Sequence, residues 1–379
     1  MGNKLSTDEN IYLLNFKQMT DYQINTNPYI RTADNTQRVM LDVIIALAPM
    51  LIFAWAAFGF LPILSVVVAV ASAVAAEYLF SLIFFRNKKS IFDLSAVVTG
   101  ILLAFTLAPF TPLYVVAFGG AMAVIFGKLL WGGLGRNSLN PALVGRETMT
   151  AVFAATMTSR SIWFSDDYAN YAQINPFSLL GDSPLIDYCN TLFFRPSGAT
   201  GEYSVIFLIL GGFYLLMRKR ISWHIPFSLL AVFVAASWLV FDLRFSLGGV
   251  LLGAIFMATD MPSSASTNGG KLFYGAMIGI VAIVCLLFGI NYEYMSYSIL
   301  LVNAFSCPIS NAFAPRVWGR TAQNTVFYLK KLGVIVAGIA GATTAVIVLH
   351  KLNFVQYLVF AYMAGIFGWF IYLKIKKLV

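Results

Sequence analysis

Apolar segments of about 20 residues, separated by short polar loops, recur along most of this 379-residue chain. An α-helix needs about 20 apolar residues to cross the hydrocarbon core of a bilayer. Charged residues make up only 11% of the chain, against about 25% in soluble domains, and the mean hydropathy is +0.79. Such a chain cannot cover itself with a hydrated surface, which excludes soluble enzymes, disordered proteins and nucleic-acid-binding modules. The sequence therefore predicts an all-α polytopic membrane protein.

We interpret twelve apolar segments as membrane spans. They cover residues 39–61, 62–85, 94–109, 113–131, 141–158, 204–217, 225–241, 245–260, 272–290, 297–314, 332–350 and 354–373. Several are shorter than a full span, above all those that start at residues 94, 204 and 245. Short spans bounded by Gly and Pro are typical of broken helices around a site near the membrane midplane.

The distribution of Lys and Arg predicts the orientation of these spans. With the N-terminus inside, the 25 basic residues fall on the inner side, Lys128 and Arg146 among them, with only four exceptions. The four outer ones are Arg160, Arg195, Arg244 and Lys351. This is the positive-inside bias of membrane proteins. We therefore expect cytoplasmic N- and C-termini and a multi-pass location in the cytoplasmic (inner) membrane of the cell.

A shared pattern indicates an internal repeat. The spacing G-x5-T-x2-P occurs at residues 100–109 and again at 253–262, and a Gly-Ala-Met run follows each copy, at 120–122 and 275–277. Five spans separate the two copies, and an odd offset inverts the second copy in the membrane. We predict an inverted 5+5 repeat with two extra C-terminal spans; chance similarity between Gly- and Ala-rich helices is the alternative.

The predicted organisation has five parts. They are a cytoplasmic N-terminal segment (1–38), a first five-span repeat (39–158), an extracytoplasmic loop (159–203), a second five-span repeat (204–314), and a cytoplasmic loop with two additional C-terminal spans (315–379). The extracytoplasmic loop is long, and long ordered loops in compact bundles are usually functional.

Carboxylates inside the spans are the first candidates for chemistry, because a charge within the membrane is costly. Glu77 lies well inside the second span, and Asp260 ends a repeat helix beside the polar run 263–268. Both are candidates for ion coordination or a proton relay, with an interfacial ion pair as the equal alternative.

Three other carboxylates lie near span ends, at Asp42, Asp93 and Glu147. For Asp42 and Asp93 we favour a structural role, pairing with a nearby base, such as Asp42 with Arg38.

Two local motifs could bind an anionic group. Asn140 before Pro141 is a good N-cap with proline at the first helical position, and the start of the helix could hold an anion. A cap without a ligand is the simpler interpretation.

The second motif is a small-residue stretch directly before the sixth span, Ser197-Gly198-Ala199-Thr200-Gly201-Glu202. Its two glycines allow close backbone approach, and the Thr200 hydroxyl could be esterified, with helix-start amides beside it for a phosphate. An ordinary capping turn is the alternative. The three widely spaced cysteines include no C-x-x-C pair, so nothing indicates a zinc or iron–sulfur centre.

Several stretches, taken together in their order and spacing, resemble one family over about residues 28–320. They are Pro28-Tyr29-Ile30-Arg31 with Arg38-Val39-Met40-Leu41-Asp42-Val43, Gly135-Arg136-Asn137-Ser138-Leu139-Asn140-Pro141-Ala142, Ile221-Ser222-Trp223-His224-Ile225-Pro226, Phe256-Met257-Ala258-Thr259-Asp260, Thr267-Asn268 onward to Tyr274-Gly275, and Ala314-Pro315-Arg316-Val317-Trp318-Gly319. The family is that of the D-type subunit of the Rnf ion-translocating ferredoxin:NAD oxidoreductase, related to the B-type subunit of the sodium-pumping NADH:quinone reductase.

The resemblance implies a role in a redox-driven pump. In such complexes electrons pass from ferredoxin towards NAD through flavins and iron–sulfur centres, and the free energy moves Na⁺ or H⁺ outward. The D-type subunit normally carries FMN joined through its phosphate to a threonine in Asp-x-x-Ser-Gly-Ala-Thr, a link made by a flavin transferase. The implied partners are the other subunits of the complex, the flavin transferase and the lipid bilayer. The resemblance leaves open a second, non-covalent flavin.

This sequence departs from the attachment motif. By spacing, Asn175 stands where the family has its threonine, and asparagine has no hydroxyl to esterify. The literal Ser-Gly-Ala-Thr ends at Thr200, with Phe194 where the motif has aspartate. Either FMN has moved to Thr200, or covalent FMN has been lost and Thr200 belongs to a capping turn.

Our main expectation is a flavin-carrying membrane subunit of an Rnf-type complex, which cannot complete the redox reaction alone. The alternatives are an inverted-repeat solute channel or transporter, and a flavin-less paralogue that scaffolds such a complex.

Overall fold

The computed structural model describes residues 34–85, 90–163, 183–193, 198–240, 245–315 and 325–378. Every regular element within these ranges is helical. The predicted all-helical class is therefore confirmed for the described part of the chain. Asn175 and Ser197 lie outside it, as do most of the N-terminal segment and most of the extracytoplasmic loop.

Each of the twelve predicted spans coincides with helix. The helices of the first half are α1 (Thr36–Phe58), α2 (Phe60–Phe80), α3 (Ser95–Phe105), α4 (Leu113–Val124), α5 (Pro141–Val152), α6 (Ala154–Met157), α7 (Arg160–Trp163) and α8 (Pro184–Phe193). Those of the second half are α9 (Val205–Met217), α10 (His224–Leu239), α11 (Leu247–Leu252), α12 (Asn268–Leu287), α13 (Tyr294–Asn303), α14 (Ser306–Ala312), α15 (Thr325–Lys351) and α16 (Val355–Leu378). Single π-helical turns extend α2, α4 and α11, at Ser81–Phe85, Ile125–Leu129 and Gly253–Met257.

Five described helical stretches are long and apolar enough to cross a membrane, judged by length and composition. They are Thr36–Ala56, Phe60–Phe85, Asn268–Leu287, Tyr328–Lys351 and Val355–Lys376. Five shorter apolar stretches include the three that the sequence marks as short. The number of spans, their orientation and the position of the termini stay predictions.

Two predicted spans are interrupted rather than continuous. The span 141–158 breaks at Phe153, between α5 and α6, and the span 297–314 breaks at Ala304 and Phe305, between α13 and α14. Both are the fifth span of their predicted repeat. Breaks at matching places are expected of two copies of one architecture.

The helix packing of the two halves shares a further detail. Gly120 of α4 lies against the Ala69 carbonyl and the Ser72 hydroxyl of α2, so that a Cβ would overlap both. Gly275 of α12 lies in the same way against a carbonyl and the hydroxyl of Ser228 on α10. These glycines begin the two Gly-Ala-Met runs, and small residues let membrane helices approach closely. The shared contact favours a genuine repeat; its inversion stays a prediction.

The last two helices form a hairpin beside the rest of the bundle. Helix α15 begins at Thr325, before the predicted start at residue 332, and packs on α12, α13 and α14. Helix α16 packs instead on α5 and on the π turn of α4, and its Lys374 donates to the Phe84 carbonyl at 2.8 Å. The hairpin therefore contacts helices of both predicted repeats.

Candidate functional site

A buried ion pair joins two helices of the first half. Lys128, in the π turn that ends α4, places Nζ 2.7 Å from Oε1 of Glu77 on α2. The side chains are 2% and 0% exposed, respectively. Because an unpaired charge is costly in an apolar interior, each of these groups makes the burial of the other tolerable.

Two further groups complete this cluster, which we call the Glu77 cluster (Glu77, Asp93, Ser95 and Lys128). Lys128 Nζ donates to Ser95 Oγ and lies 3.6 Å from Asp93 Oδ2. The Ser95 amide and hydroxyl both donate to Asp93 Oδ1, at 2.9 and 2.6 Å. Oxygen ligands of this kind suit hard cations, and the ammonium of Lys128 lies among them.

The backbone at this cluster has an unusual conformation. Leu94, between Asp93 and Ser95, has φ = 61°, in the left-handed region that residues other than glycine rarely adopt. Such strain persists only where surrounding contacts enforce it, and it is concentrated at functional sites. Asp93 and Ser95 lie on either side of the strained residue. They are hydrogen-bonded to each other, and both contact Lys128.

A second polar junction connects the two halves. Asn140 caps α5 as predicted, since its Oδ1 accepts from the amides of Ala142 and Leu143 at 3.0 and 3.3 Å. Its Nδ2 donates to the Met257 carbonyl at 3.0 Å, at the end of the π turn after α11. The side chain is 2% exposed, and both of its ends are already engaged. This favours a structural cap over an anion site.

Asp260 lies beside this junction. Its Oδ2 accepts hydrogen bonds from Ser263 Oγ at 2.8 Å and from Asn137 Nδ2 at 3.3 Å. Within the ranges that the structure describes, the partners of this carboxylate are neutral side chains and no ion pair is formed. Asp260 thus differs from Glu77, whose described partners include a cation.

The turn before α9 carries the candidate attachment residue. Thr200 is 3% exposed, and its amide and hydroxyl both donate to the Leu107 carbonyl, at 2.9 and 3.0 Å. Ala199 is equally buried, and a Cβ on Gly201 would meet the backbone of Phe105. This turn therefore lies tightly against the end of α3.

The same turn also contacts α11. Gly198, at φ = 103°, lets the chain enter the turn, and Glu202 accepts a hydrogen bond from the α11 cap Ser246 at 2.6 Å. A Cβ on Gly248 would overlap the Glu202 carbonyl, so the two segments touch through their backbones. Burial raises the pKa of the Glu202 carboxyl above its usual range, while the bond from Ser246 opposes that rise. The turn thus contacts α3 of the first half and α11 of the second half.

These contacts test whether FMN fits at Thr200. A phosphoester needs an exposed hydroxyl oxygen with space beside it for the phosphate and the ribityl chain. The Thr200 hydroxyl is buried, bonded to a main-chain carbonyl and flanked by a glycine with no room for a methyl group. The buried hydroxyl and the close packing at Gly201 favour the interpretation of this segment as a capping turn.

Asp42 is one of the two remaining candidate carboxylates. Asp42 is bonded to groups on and just after α9: Tyr214 at 3.1 Å, Arg218 at 3.2 Å and Arg220 at 2.6 Å. The expected ion pair therefore exists, but these bases are distant in sequence rather than adjacent like Arg38.

Glu147 lies in the middle of α5 and is 5% exposed. It accepts hydrogen bonds from Ser296 and, at 3.3 Å, from Thr150. Among the described residues it has no ion pair, as for Asp260.

Two basic residues that the sequence analysis counts on the inner side lie inside predicted spans, at 113–131 and 141–158. Lys128 is buried in the π turn of α4, and Arg146 lies within α5, where it donates to the Tyr292 carbonyl at 3.0 Å. The charge count therefore included two residues of the predicted spans. A signal for Lys128 exists in the sequence: it is a lone base inside the predicted fourth span, and Glu77 is a lone acid inside the second.

A comparison with known protein families gives a match over most of the chain. The model of the NQR2, RnfD, RnfE family matches residues 23–319. The match therefore ends before α15 and α16, which makes the C-terminal hairpin an addition to the region the family shares.

Similar curated proteins are subunits of ion-translocating oxidoreductase complexes. The D-type subunit of the Na(+)-translocating ferredoxin:NAD(+) oxidoreductase complex of Acetobacterium woodii is 35% identical, over 79% of this chain and 95% of its own length. The proton-translocating counterpart of Clostridium ljungdahlii is 31% identical, over 78% and 95%. The D-type subunit of the ion-translocating oxidoreductase complex of Yersinia enterocolitica is 30% identical, over 78% and 98%.

Proposed function

Because the chain belongs to the NQR2, RnfD, RnfE family, we propose that it is the D-type membrane subunit of an ion-translocating oxidoreductase complex. In this complex, electron transfer from ferredoxin to NAD⁺ drives Na⁺ or H⁺ outward across the membrane. Similarity along nearly the whole length of the relatives supports this role over that of a stand-alone solute transporter.

The observation that carries the ion-transport part is the Glu77 cluster. It combines two carboxylates and a hydroxyl, among which Lys128 provides the cation. An ionisable residue inside a membrane bundle is a functional candidate by default. Here a transported cation can reach the oxygens only as the ammonium moves away or gives up its proton. The site can therefore alternate between an internal and a transported positive charge without leaving Glu77 unneutralised.

Asp260 is the second candidate for the ion path. Its carboxylate has neutral hydrogen-bond partners and lies where the segments before α5 and after α11 meet. A carboxylate whose described partners are all neutral can take up a cation or a proton directly. We propose that it acts together with the Glu77 cluster from the other half of the protein.

The test uses the complete complex, purified and reconstituted in liposomes, with reduced ferredoxin and NAD⁺ supplied on the side where the complex accepts them. Glu77→Gln is expected to lower ion transport per electron at least tenfold while NAD⁺ reduction continues. Glu202→Gln, on the turn before α9, is the matched control and should leave the ratio of ions to electrons unchanged. Undiminished transport by the Glu77→Gln complex would refute the assignment.

For the cofactor, we propose that this protein carries no covalent FMN, the flavin-less alternative. Two observations support it: Asn175 has no hydroxyl to esterify, and the Thr200 hydroxyl is buried against Leu107. The native protein should show no fluorescent band on a denaturing gel, and the peptide containing Thr200 should have its unmodified mass. An FMN-sized adduct on any peptide would overturn this proposal. Flavin released into the denatured supernatant would instead reveal a non-covalent flavin.

A further inference from the structure

A cavity of about 260 Å³ lies beneath the C-terminal hairpin. Its walls come from α5 and α13, the interrupted fifth helices of the two halves, and from α15 and α16 of the hairpin. Aliphatic side chains such as Val144, Leu300, Val346 and Val359 make up most of the lining. The cavity is larger than the roughly 150 Å³ that suffices to bind benzene in an engineered protein core.

The polar side chains on the walls are all bonded elsewhere. Glu147 accepts from Ser296 and Thr150, and Thr148 Oγ1 donates to a carbonyl one turn back at 2.7 Å. Tyr297 is bonded to an imidazole on α15 at 3.4 Å, and Tyr362 donates to a carbonyl in the π turn of α4 at 3.2 Å. None of these groups needs a partner inside the cavity, so the surface offered to an occupant is hydrocarbon.

The cavity also reaches the outer surface of the bundle. Leu358 lines it and is nevertheless 46% exposed. Its neighbours include Phe354, directly before α16, and Tyr357 on α16, which are 49% and 59% exposed. The opening thus lies on the apolar surface of a helix long enough to span the bilayer, where lipid tails are the surrounding solvent.

We propose that this cavity binds one acyl chain of a bilayer phospholipid, held between the hairpin and the line where α5 meets α13. Water is disfavoured, because a buried water needs two to four polar partners, which these walls do not supply. An acyl chain needs none, and it fills space that would otherwise leave the lining without van der Waals contacts. The site depends on α15 and α16, which lie beyond the part of the chain that the family model matches.

The test is photo-crosslinking of the full-length protein in phospholipid nanodiscs that contain a phosphatidylglycerol with a diazirine near the end of one acyl chain. Adducts are mapped by peptide mass spectrometry. We expect them on the peptides that contain Leu300 and Leu358. Val346→Phe fills the cavity and should reduce these adducts at least fivefold. Val348→Phe, two residues away on α15 and 49% exposed, is the matched control and should leave them unchanged.

Val359→Phe is the second variant that fills the cavity, from the opposite helix of the hairpin. It replaces Val346→Phe in the comparison if Val346→Phe does not fold. Thermal unfolding in detergent verifies that the variant compared is folded. Three results would overturn the proposal: equal labelling of a folded filling variant and the Val348→Phe control, adducts confined to exposed residues outside the cavity, or labelling by a diazirine-tagged polyisoprenoid but not by the phospholipid. None of them depends on ion transport or electron transfer.

Discussion

Lys128 and Glu77, 51 residues apart in sequence, meet in a buried ion pair with 2.7 Å between Nζ and Oε1. The pair connects α2 to the π turn of α4 in a region where both side chains are almost wholly shielded. Breaking a buried pair is more damaging than replacing both partners, because one partner alone leaves an uncompensated charge.

The first prediction follows from this asymmetry. Lys128→Met and Glu77→Gln should each lower the free energy of unfolding by about 3–5 kcal/mol, and the double variant should be less destabilised than either. Thermal unfolding in detergent measures the order. Lys271→Met, at a partly buried lysine early in α12, is the control and should change little. A double variant as unstable as the sum of the two single variants would show that the pair is not coupled.

The second prediction concerns the glycine contacts that the two halves share. Gly120→Ala and Gly275→Ala should each destabilise the protein by about 1–3 kcal/mol, because the added methyl group overlaps a carbonyl and a serine hydroxyl on the neighbouring helix. Gly341→Ala and Gly365→Ala have open space at the added carbon and should be neutral or slightly stabilising. The measurement is the melting temperature of each of the four variants. An equal change in melting temperature for all four would contradict the close approach of the helices at Gly120 and Gly275.

The third prediction separates the two roles of Asn140. Asn140→Ser can still cap α5 but cannot reach the Met257 carbonyl, whereas Asn140→Ala loses both bonds. Stability should fall from wild type to serine to alanine, and losing the cap alone should account for about 1 kcal/mol. Denaturant or thermal titration of the three proteins gives the order. If the serine variant matched the wild type, the bond between the two halves would contribute nothing measurable.

The fourth prediction is a pH dependence that comes from Glu202. Burial raises the pKa of its carboxyl in the folded state. Below the pKa of the unfolded chain both states are protonated and the group causes no penalty. As the pH rises, the Glu202 carboxyl ionises first in the unfolded chain, which lowers the free energy of unfolding. This loss of stability grows until the pH passes the raised pKa of the folded state.

Glu202→Gln removes this titration while keeping a side chain of the same shape. The melting temperature of the variant relative to wild type should therefore increase as the pH rises from about 4 to about 8. The measurement is a pair of melting-temperature profiles in one detergent. A difference that stays constant, or that falls with rising pH, would contradict the raised pKa.

Much of the fold could be predicted because hydropathy is a local property. Each apolar run coincides with helix, the Asn140-Pro141 dipeptide begins α5 as a cap, and the short segments at residues 94, 204 and 245 form short helices. The interruption at Phe153 was not predicted. No proline or glycine marks it, so the pattern of apolar residues runs through it without a change.

The candidate site could be predicted only in part. Glu77 is conspicuous as a single acid in an apolar run, and the sequence indicates it directly. Thr200 is conspicuous for its motif, yet its hydroxyl is engaged by a residue 93 positions earlier, which no local pattern reveals. The bases beside Asp42 are likewise 176 and 178 residues away.

The sequence by itself determined that this chain is a bundle of apolar helices and which family it belongs to, because both follow from residue order along the chain. Only the tertiary structure decided which charges neutralise each other, which hydroxyls are buried and where the hairpin leaves a cavity. The physical reason is that a charge or a hydroxyl inside a bundle takes its partner from whichever helix packs against it. That neighbour is set by the packing of all the helices together, so the sequence shows Lys128 only as a lone base in its span, and the structure identifies it as the counter-ion of Glu77.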